Sequence, residues 1–340
     1  MFSKISKQKP IISTGLDIGN SSIKLVQILR DPAADSPELI NYKISPFKSN
    51  ERKSLVEAIK ESLLNGKAEN RYVNTSISGQ AVVVRYIQMP RMTSDELRKA
   101  LTLGVGKYIP FSLEDVNYDF QILDEHNKAE KMMKVLLVAA KKKVVEERIS
   151  ILRDANLIPY IIDVDSFSIV NSFQLMSQST KGIIGVLDIG ADITSTTILR
   201  DNIPSFNRDI PLGGKHINEK IMEDFEISAV EAEELKRDPQ RKYGELLNAI
   251  RPVLDSLARE LHLSFNYCES QLGGSVQKIY ITGGTAKFKG IDKVLNSILG
   301  VEVEIWDPTQ KLRIAPEINR QMLAEAGPLL TVAVGLALRK

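Results

Sequence analysis

Apolar residues fall in short blocks along the first 44 positions. Pro10 to Leu16 and Ser22 to Leu29 are β-prone runs on either side of Asp17-Ile18-Gly19, and Leu39 to Ile44 follows the turn-rich segment Asp31 to Pro37. Residues 11 to 44 therefore read as a three-stranded meander. The period then changes: Leu55, Val56, Ile59, Leu63 and Leu64 share one face of a helix from Ser54 to Leu64, ended by Asn65-Gly66. Val73 to Ser78 is a fourth strand, turning at Gly79-Gln80. A block of β, α, β, β, α order follows and reads as an insertion. Its parts are a strand Val82 to Ile87, a break over Pro90 to Thr93, a helix capped by Ser94 and running to Lys107, strands Val116 to Leu123 and Met132 to Ala140 joined by the charged turn Asp124 to Lys131, and a helix Lys143 to Ala155. Val135 to Ala140 is apolar throughout, which requires burial on both faces. Pro159 to Asp165 returns to the first domain, and a helix spans about Ser166 to Ser177.

The second half opens with the same pattern. Strands Ile183 to Leu187, Thr194 to Leu199 and Ile203 to Phe206 repeat the meander, and Leu187-Asp188-Ile189-Gly190 repeats Leu16-Asp17-Ile18-Gly19. Helices His216 to Phe225, Ala229 to Arg237 and Pro252 to Leu272 come next, then a strand Lys278 to Thr282, Gly283-Gly284, a helix Gly290 to Leu299, a strand Val301 to Trp306 and a last helix Leu329 to Leu338. At each aspartate turn, glycine permits close backbone approach. Asn20, Ser21 and Ser22 add amides and hydroxyls suited to phosphate oxygens, and Asp17 suits a metal ion or its water shell. Taken alone, such a turn is more often only a hairpin turn. Recurrence in two halves is what points to a shared cleft for the phosphates and magnesium of a nucleotide.

Composition narrows the alternatives. The 340 residues are 43% hydrophobic, enough for two or more cored domains, and the net charge of +2 with no basic stripe argues against nucleic acid as a partner. One cysteine, Cys268, excludes an internal disulfide, and three scattered histidines offer no zinc spacing. No apolar run reaches the ~20 residues of a membrane span, and Met1 to Pro10 reads as a basic, frayed tail, so the cytoplasm is the expected compartment.

Five pieces lie in a fixed order: the Asp17 turn, the Asp188 turn, Gly213-Gly214, the helix carrying Glu233 to Lys236, and Ile281-Thr282-Gly283-Gly284-Thr285-Ala286. Together they resemble the actin-like ATPase superfamily, and the block from about Gly79 to Leu157 resembles the extra subdomain of its FtsA branch. The chain further resembles the PilM family of type IV pilus assembly proteins in GLDIGNSSIKLVQ near the start, KYIPF at Lys107 to Phe111, VAAKK at Val138 to Lys142, NLIPYIIDVD at Asn156 to Asp165, ITGGTAKFKG at Ile281 to Gly290 and the ending VAVGLALRK. The helix before KYIPF departs from the family, with Leu103 and Gly104 where an aromatic and an acidic residue are usual.

The resemblance implies an α/β fold of duplicated actin-like (ribonuclease H-like) domains. The first would be 11–78 with 158–181, the inserted FtsA-type subdomain 79–157, the second 182–210 with 275–340, and a helical subdomain 211–274. It implies ATP and Mg2+ as ligands. Asp17, Gly19, Asn20, Ser21, Ser22 and Lys24 would serve the phosphates, as would Asp188, Gly190 and Asp192 opposite, with Asp17 and Asp188 nearest the metal. Gly213 and Gly214 would lie beside the phosphates, Glu233 and Lys236 at ribose and adenine, and Gly283, Gly284 and Lys287 around the base. By themselves, Glu233 and Lys236 read as solvated helix residues. Asp165 is the one acid near the water-orienting position of the superfamily, and reads equally as a helix N-cap.

The implied role is an ATP-binding scaffold with slow or absent hydrolysis. It would be cytoplasmic and drawn to the inner membrane by a partner, the N-terminal segment of a PilN-like membrane protein held in a groove between the first domain and the insertion. Other pilus assembly proteins, including the assembly ATPase, belong to the implied partner set. The alternatives are an FtsA-like filament-forming membrane tether and a small-molecule kinase of the same superfamily.

Overall fold

The computed structural model describes residues 9–339 apart from 48, 50, 64–70, 124–130, 177–180 and 240–241. The helix end expected at Asn65-Gly66 and most of the turn from Asp124 lie outside the described residues. The first half holds β1 (Ile11–Ile18), β2 (Ser22–Arg30), β3 (Glu38–Pro46), α1 (Arg52–Leu63) and β4 (Tyr72–Ile77). The inserted block is β5 (Val82–Pro90), α2 (Ser94–Gly104), β6 (Val116–Ile122) and β7 (Met132–Lys141). Then come α3 (Lys142–Asp154), β8 (Ile158–Val164) and α4 (Asp165–Met176). The second half holds β9 (Ile183–Ile189), β10 (Thr194–Arg200), β11 (Ile203–Ile210), α5 (Gly214–Phe225), α6 (Ala229–Arg237), α7 (Tyr243–Leu272), β12 (Lys278–Thr282), α8 (Ile291–Leu299) and β13 (Glu302–Ile305). β14 (Arg313–Ile314), α9 (Arg320–Ala326) and α10 (Thr331–Leu338) close the chain.

Both halves carry the same sheet. In the orders β3-β2-β1-β4-β8 and β11-β10-β9-β12-β13, an antiparallel meander is extended by two parallel strands. β1 thus corresponds to β9 and β4 to β12, while α3, between β4 and β8, corresponds to α8, between β12 and β13. α3 is therefore part of the repeat, although its place in the chain groups it with the insertion. Its Ile151 and Leu152 are buried with Leu16, Leu25 and Ile59 of the first half. The insertion keeps its own core on the sheet β5-β7-β6: Val135, Leu137 and Ala139 of β7 pack with Leu97 and Leu101 of α2. Leu136 and Ala140, on the other face of β7, are buried too, as its unbroken apolar run requires.

The end of the chain corrects the expected division. Residues 275–340 do not stay together with the second sheet: β14 pairs with β3, giving the first sheet its sixth strand, and α10 packs on β1 and β2. The cause is α10 itself, whose residues from Thr331 to Ala337 are all buried. A helix apolar on every side needs protein on every side, and it finds this between the first sheet and α4. A core shared by the halves results, with Phe173 of α4, Val186 and Leu199 of the second sheet, Trp306, and Leu336 of α10.

Local signals were overridden at three places. Thr93, not Ser94, caps α2: its Oγ1 accepts the Glu96 amide at 3.3 Å while Glu96 Oε2 accepts the Thr93 amide at 2.8 Å. α2 ends at Gly104, and a 3-10 turn carries the chain on to Lys107. α7 begins at Tyr243 and runs through Pro252, because Leu246 and Ile250 ahead of the proline are buried in the second core.

Candidate functional site: a carboxylate cleft between the two halves

The site forms where equivalent strands of the two sheets end. β1 delivers Asp17, β9 delivers Asp188, β8 runs into α4 at Asp165, and Ser76 and Ser78 lie at the end of β4. Lys24 faces Asp17 in the β1–β2 register, and its Nζ stands 3.0 Å from Asp17 Oδ2. That ammonium fills the space above Gly19, 2.7 Å from where a Cβ would stand, so a side chain at this turn would displace it.

Each charge in the cleft is set by the others. Burial works against the charge on Lys24, but the contact with Asp17, supported by Asp188 and Asp165, holds the ammonium above its ordinary value. Asp188 is pushed up to about 7, first by burial and then by Asp17, Asp165 and Asp209, against the pull of Lys24. Asp165 is raised by burial and by Asp17 and Asp209, while hydrogen bonds from Ser76 and Ser78 hold it back. Arg148 reaches in from α3, its Nη1 donating to Ile18 O at 3.4 Å, and burial lowers it against the opposing influence of Asp165 and Asp17. Carboxylates outnumber cations here, which suits a site that receives a divalent ion. Among the described residues, no three His, Cys, Asp or Glu side chains are placed to hold a metal by themselves. Asp17 and Asp188 fit magnesium, which takes one or two carboxylates and completes its shell with water and phosphate oxygens.

The glycines of the second half close one wall. Gly283, at φ +89°, packs so tightly on β9 that a Cβ would overlap Asp188 Oδ1 and stand 2.7 Å from Ile189 O. A Cβ on Gly213 would lie 2.7 Å from Gly190 O, and one on Gly214 2.7 Å from Thr285 Oγ1, which itself donates to Gly190 O at 3.2 Å. Gly190, Gly213, Gly214 and Gly283 are thus brought together, and open space adjoins Gly284. The amides at the start of α5 are engaged within the protein. Gly213 N donates to His216 Nδ1 at 3.1 Å, Gly214 N to Gly190 O at 2.9 Å and Lys215 N to Ala191 O at 2.8 Å. The last two fasten α5 to the second aspartate turn, leaving the positive end of the helix dipole as its contribution.

The remaining candidates divide. Lys236 Nζ lies 2.6 Å from Glu233 Oε2, and Asn218 of α5 binds both, donating to Glu233 at 2.9 Å and accepting from Lys236 at 2.9 Å. Lys236 Nζ also lies 3.7 Å from the space above Gly214, so this trio belongs to the wall and is not a solvated helix face. Asp192 pairs with Lys215 at 2.7 Å. Asn20 and Ser21 are exposed at the first turn, Ser22 is buried in β2, and Lys287 is exposed at the end of the 3-10 turn Gly284–Lys287. Sequence reasoning missed Arg148, Asp209, Asn218 and the two serines. The alternation Ser76-Ile77-Ser78 at a strand end was a usable signal; Arg148 gave none, because it arrives from a helix far along the chain.

Comparison with known proteins bears on the family and the fold. The family of the type IV pilus assembly protein PilM matches residues 15–340. A solved PilM-PilN type IV pilus biogenesis complex is similar over 96% of this chain and 98% of that one, with 33% identity and a TM-score of 0.86. The ethanolamine utilization protein EutJ from Carboxydothermus hydrogenoformans shares the fold at 17% identity, with 98% and 91% covered and a TM-score of 0.58. The architecture is the actin-like, duplicated α/β fold that the order of motifs implies.

Proposed function

Because the chain belongs to the family of the type IV pilus assembly protein PilM, we propose that it is a nucleotide-binding scaffold of a type IV pilus assembly platform, with ATP and Mg2+ in the cleft and a PilN-like peptide as partner. The observation that carries the nucleotide reading is the cation-poor cleft of Asp17, Asp188 and Asp165 at matching strand ends of a duplicated fold. Asp17 and Asp188 would hold the metal, Lys24 the phosphates, and the Asn218–Glu233–Lys236 trio the ribose and base. A bound magnesium ion would supply the charge that offsets the crowded carboxylates.

Asp165, held by Ser76 and Ser78, is the side chain proposed to orient water. We propose that the partner sits where the insertion meets the first half. There a cavity of about 580 Å3 is lined by Phe111 of the insertion and by Lys141, Lys142 and Glu146 at the start of α3. An extended peptide suits such a groove. The proposed domains follow the sequence division, amended so that α3, β14 and α10 go with the first.

The protein would be cytoplasmic and reach the inner membrane through this partner. Arg320–Leu338 is long and apolar enough to cross a membrane, yet 67% of it is buried inside the fold, as in a core helix. The deciding experiment is single turnover with protein in excess over labelled ATP and magnesium. Retained label with slow or no ADP formation supports the scaffold; rapid conversion makes it an energy-using switch, and no binding removes the nucleotide from the reading.

A further inference from the structure

The inserted block is fastened to both halves of the molecule at once. At its leading end, the Gly79 amide, in a turn at φ +82°, donates to Asp209 Oδ2 at 2.8 Å, and Asp209 Oδ1 accepts from Ser195 Oγ at 2.8 Å. Two residues back on β11, Asn207 Oδ1 accepts from the Tyr86 hydroxyl of β5, and Asn207 Nδ2 donates to Thr197 Oγ1 at 2.8 Å. β5 and β11 are edge strands of their own sheets, and they meet here. The leading end is thus bonded to the second half. The trailing end continues into α3, which is bonded to the first half. Arg148 Nη1 donates to Ile18 O at 3.4 Å beneath the first aspartate turn, and Arg52 Nε pairs with Asp154 Oδ2 at 2.6 Å.

We infer that the block converts the separation of the two halves into the shape of the junction cavity, so that nucleotide and peptide occupancy are thermodynamically linked through the Tyr86–Asn207 and Gly79–Asp209 bonds. This rests on the nucleotide and partner readings above. Any movement of the second sheet relative to the first carries β5 with it while α3 stays behind. The cavity between Phe111 and the start of α3 lies across that boundary, so its walls must shift. Linkage is reciprocal: the factor by which one ligand changes the affinity of the other is the same in both directions, about 5- to 150-fold where such coupling is effective.

The test uses the full chain, a fluorescent synthetic peptide of the PilN-like N-terminal segment, and MgATP. Peptide affinity is measured with and without saturating MgATP, and ATP affinity with and without saturating peptide, for the wild type, Tyr86→Phe and Asn207→Ala. Tyr86 and Asn207 lie outside the proposed ligand contacts, and two variants guard against one failing to fold. The expected result is a wild-type factor of about fivefold or more, equal in both directions, falling toward one in the folded variants while each ligand alone binds as before. A wild type that binds both ligands with a factor of one overturns the inference alone, as does an unchanged factor in the variants. A wild type that binds neither ligand overturns the scaffold reading, and the inference with it.

Discussion

Asp188 keeps its proton to about pH 7 because burial and the neighbouring Asp17, Asp165 and Asp209 outweigh Lys24. In the unfolded chain the same carboxyl loses its proton near the ordinary 3.8. Between those values the folded state binds the extra proton, so this residue's contribution to stability falls as pH rises from about 4 to about 7 and is flat above. In EDTA, Asp188→Asn is expected to remove that slope, so that the variant gains on the wild type in melting temperature across the interval and stays ahead at pH 8. Denaturant unfolding of both proteins across this pH range measures the difference. The same substitution is expected to weaken MgATP binding at least tenfold, and Lys24→Ala likewise, since it takes a cation from a cleft already short of them. Asp17 and Asp188 stood out in the sequence because each sits in a short, repeated strand-turn pattern, whereas Lys24 and Asp165 were drawn in only through the family resemblance. Asn218, Asp209 and Arg148 were not legible, because their roles depend on partners that the chain brings together only on folding.

At the scale of elements, α4 and α10 meet through small residues. A Cβ on Gly335 would fall inside the Ser168 carbonyl, backbone that cannot give way, so Gly335→Ala should lose about 3 kcal/mol or more in denaturant unfolding. Unchanged stability would mean that the two helices are not packed this closely. The capping box of α2 makes a smaller claim. Thr93→Ala should cost about 1 kcal/mol, and Ser94→Ala close to nothing, which tests where the helix begins. The helix was legible from its apolar spacing and its cap was misplaced by one residue. Two adjacent hydroxyl residues offer the same local signal, and only the reach of Glu96 back to the Thr93 amide chooses between them.

At the scale of the molecule, the insertion is separable in principle, since Lys141 N donates to Ala81 O at 3.0 Å and its two ends leave side by side. Replacing residues 82–140 by a short Gly-Ser linker leaves α3 and the first core in place. The shortened protein is expected to fold, to retain MgATP, and to lose the PilN-like peptide. Retained peptide affinity in a folded shortened protein would remove the junction cavity as the partner site. A deletion that also took α3 would strip Ile151 and Leu152 from the first core and leave the experiment uninterpretable.

The sequence by itself determined the repeated meander, the two aspartate turns and the order of the glycine-bearing motifs, because alternation, glycine and short apolar runs act within a few residues of each other. Only the tertiary structure decided that α3 belongs to the repeat, that β14 and α10 return to the first sheet, and that the insertion is tied to both halves. These outcomes depend on contacts such as Arg148 to Ile18 and Gly79 to Asp209, each spanning 130 residues. No local pattern encodes such pairs; they exist once the apolar faces of two sheets and the helices between them have been buried together.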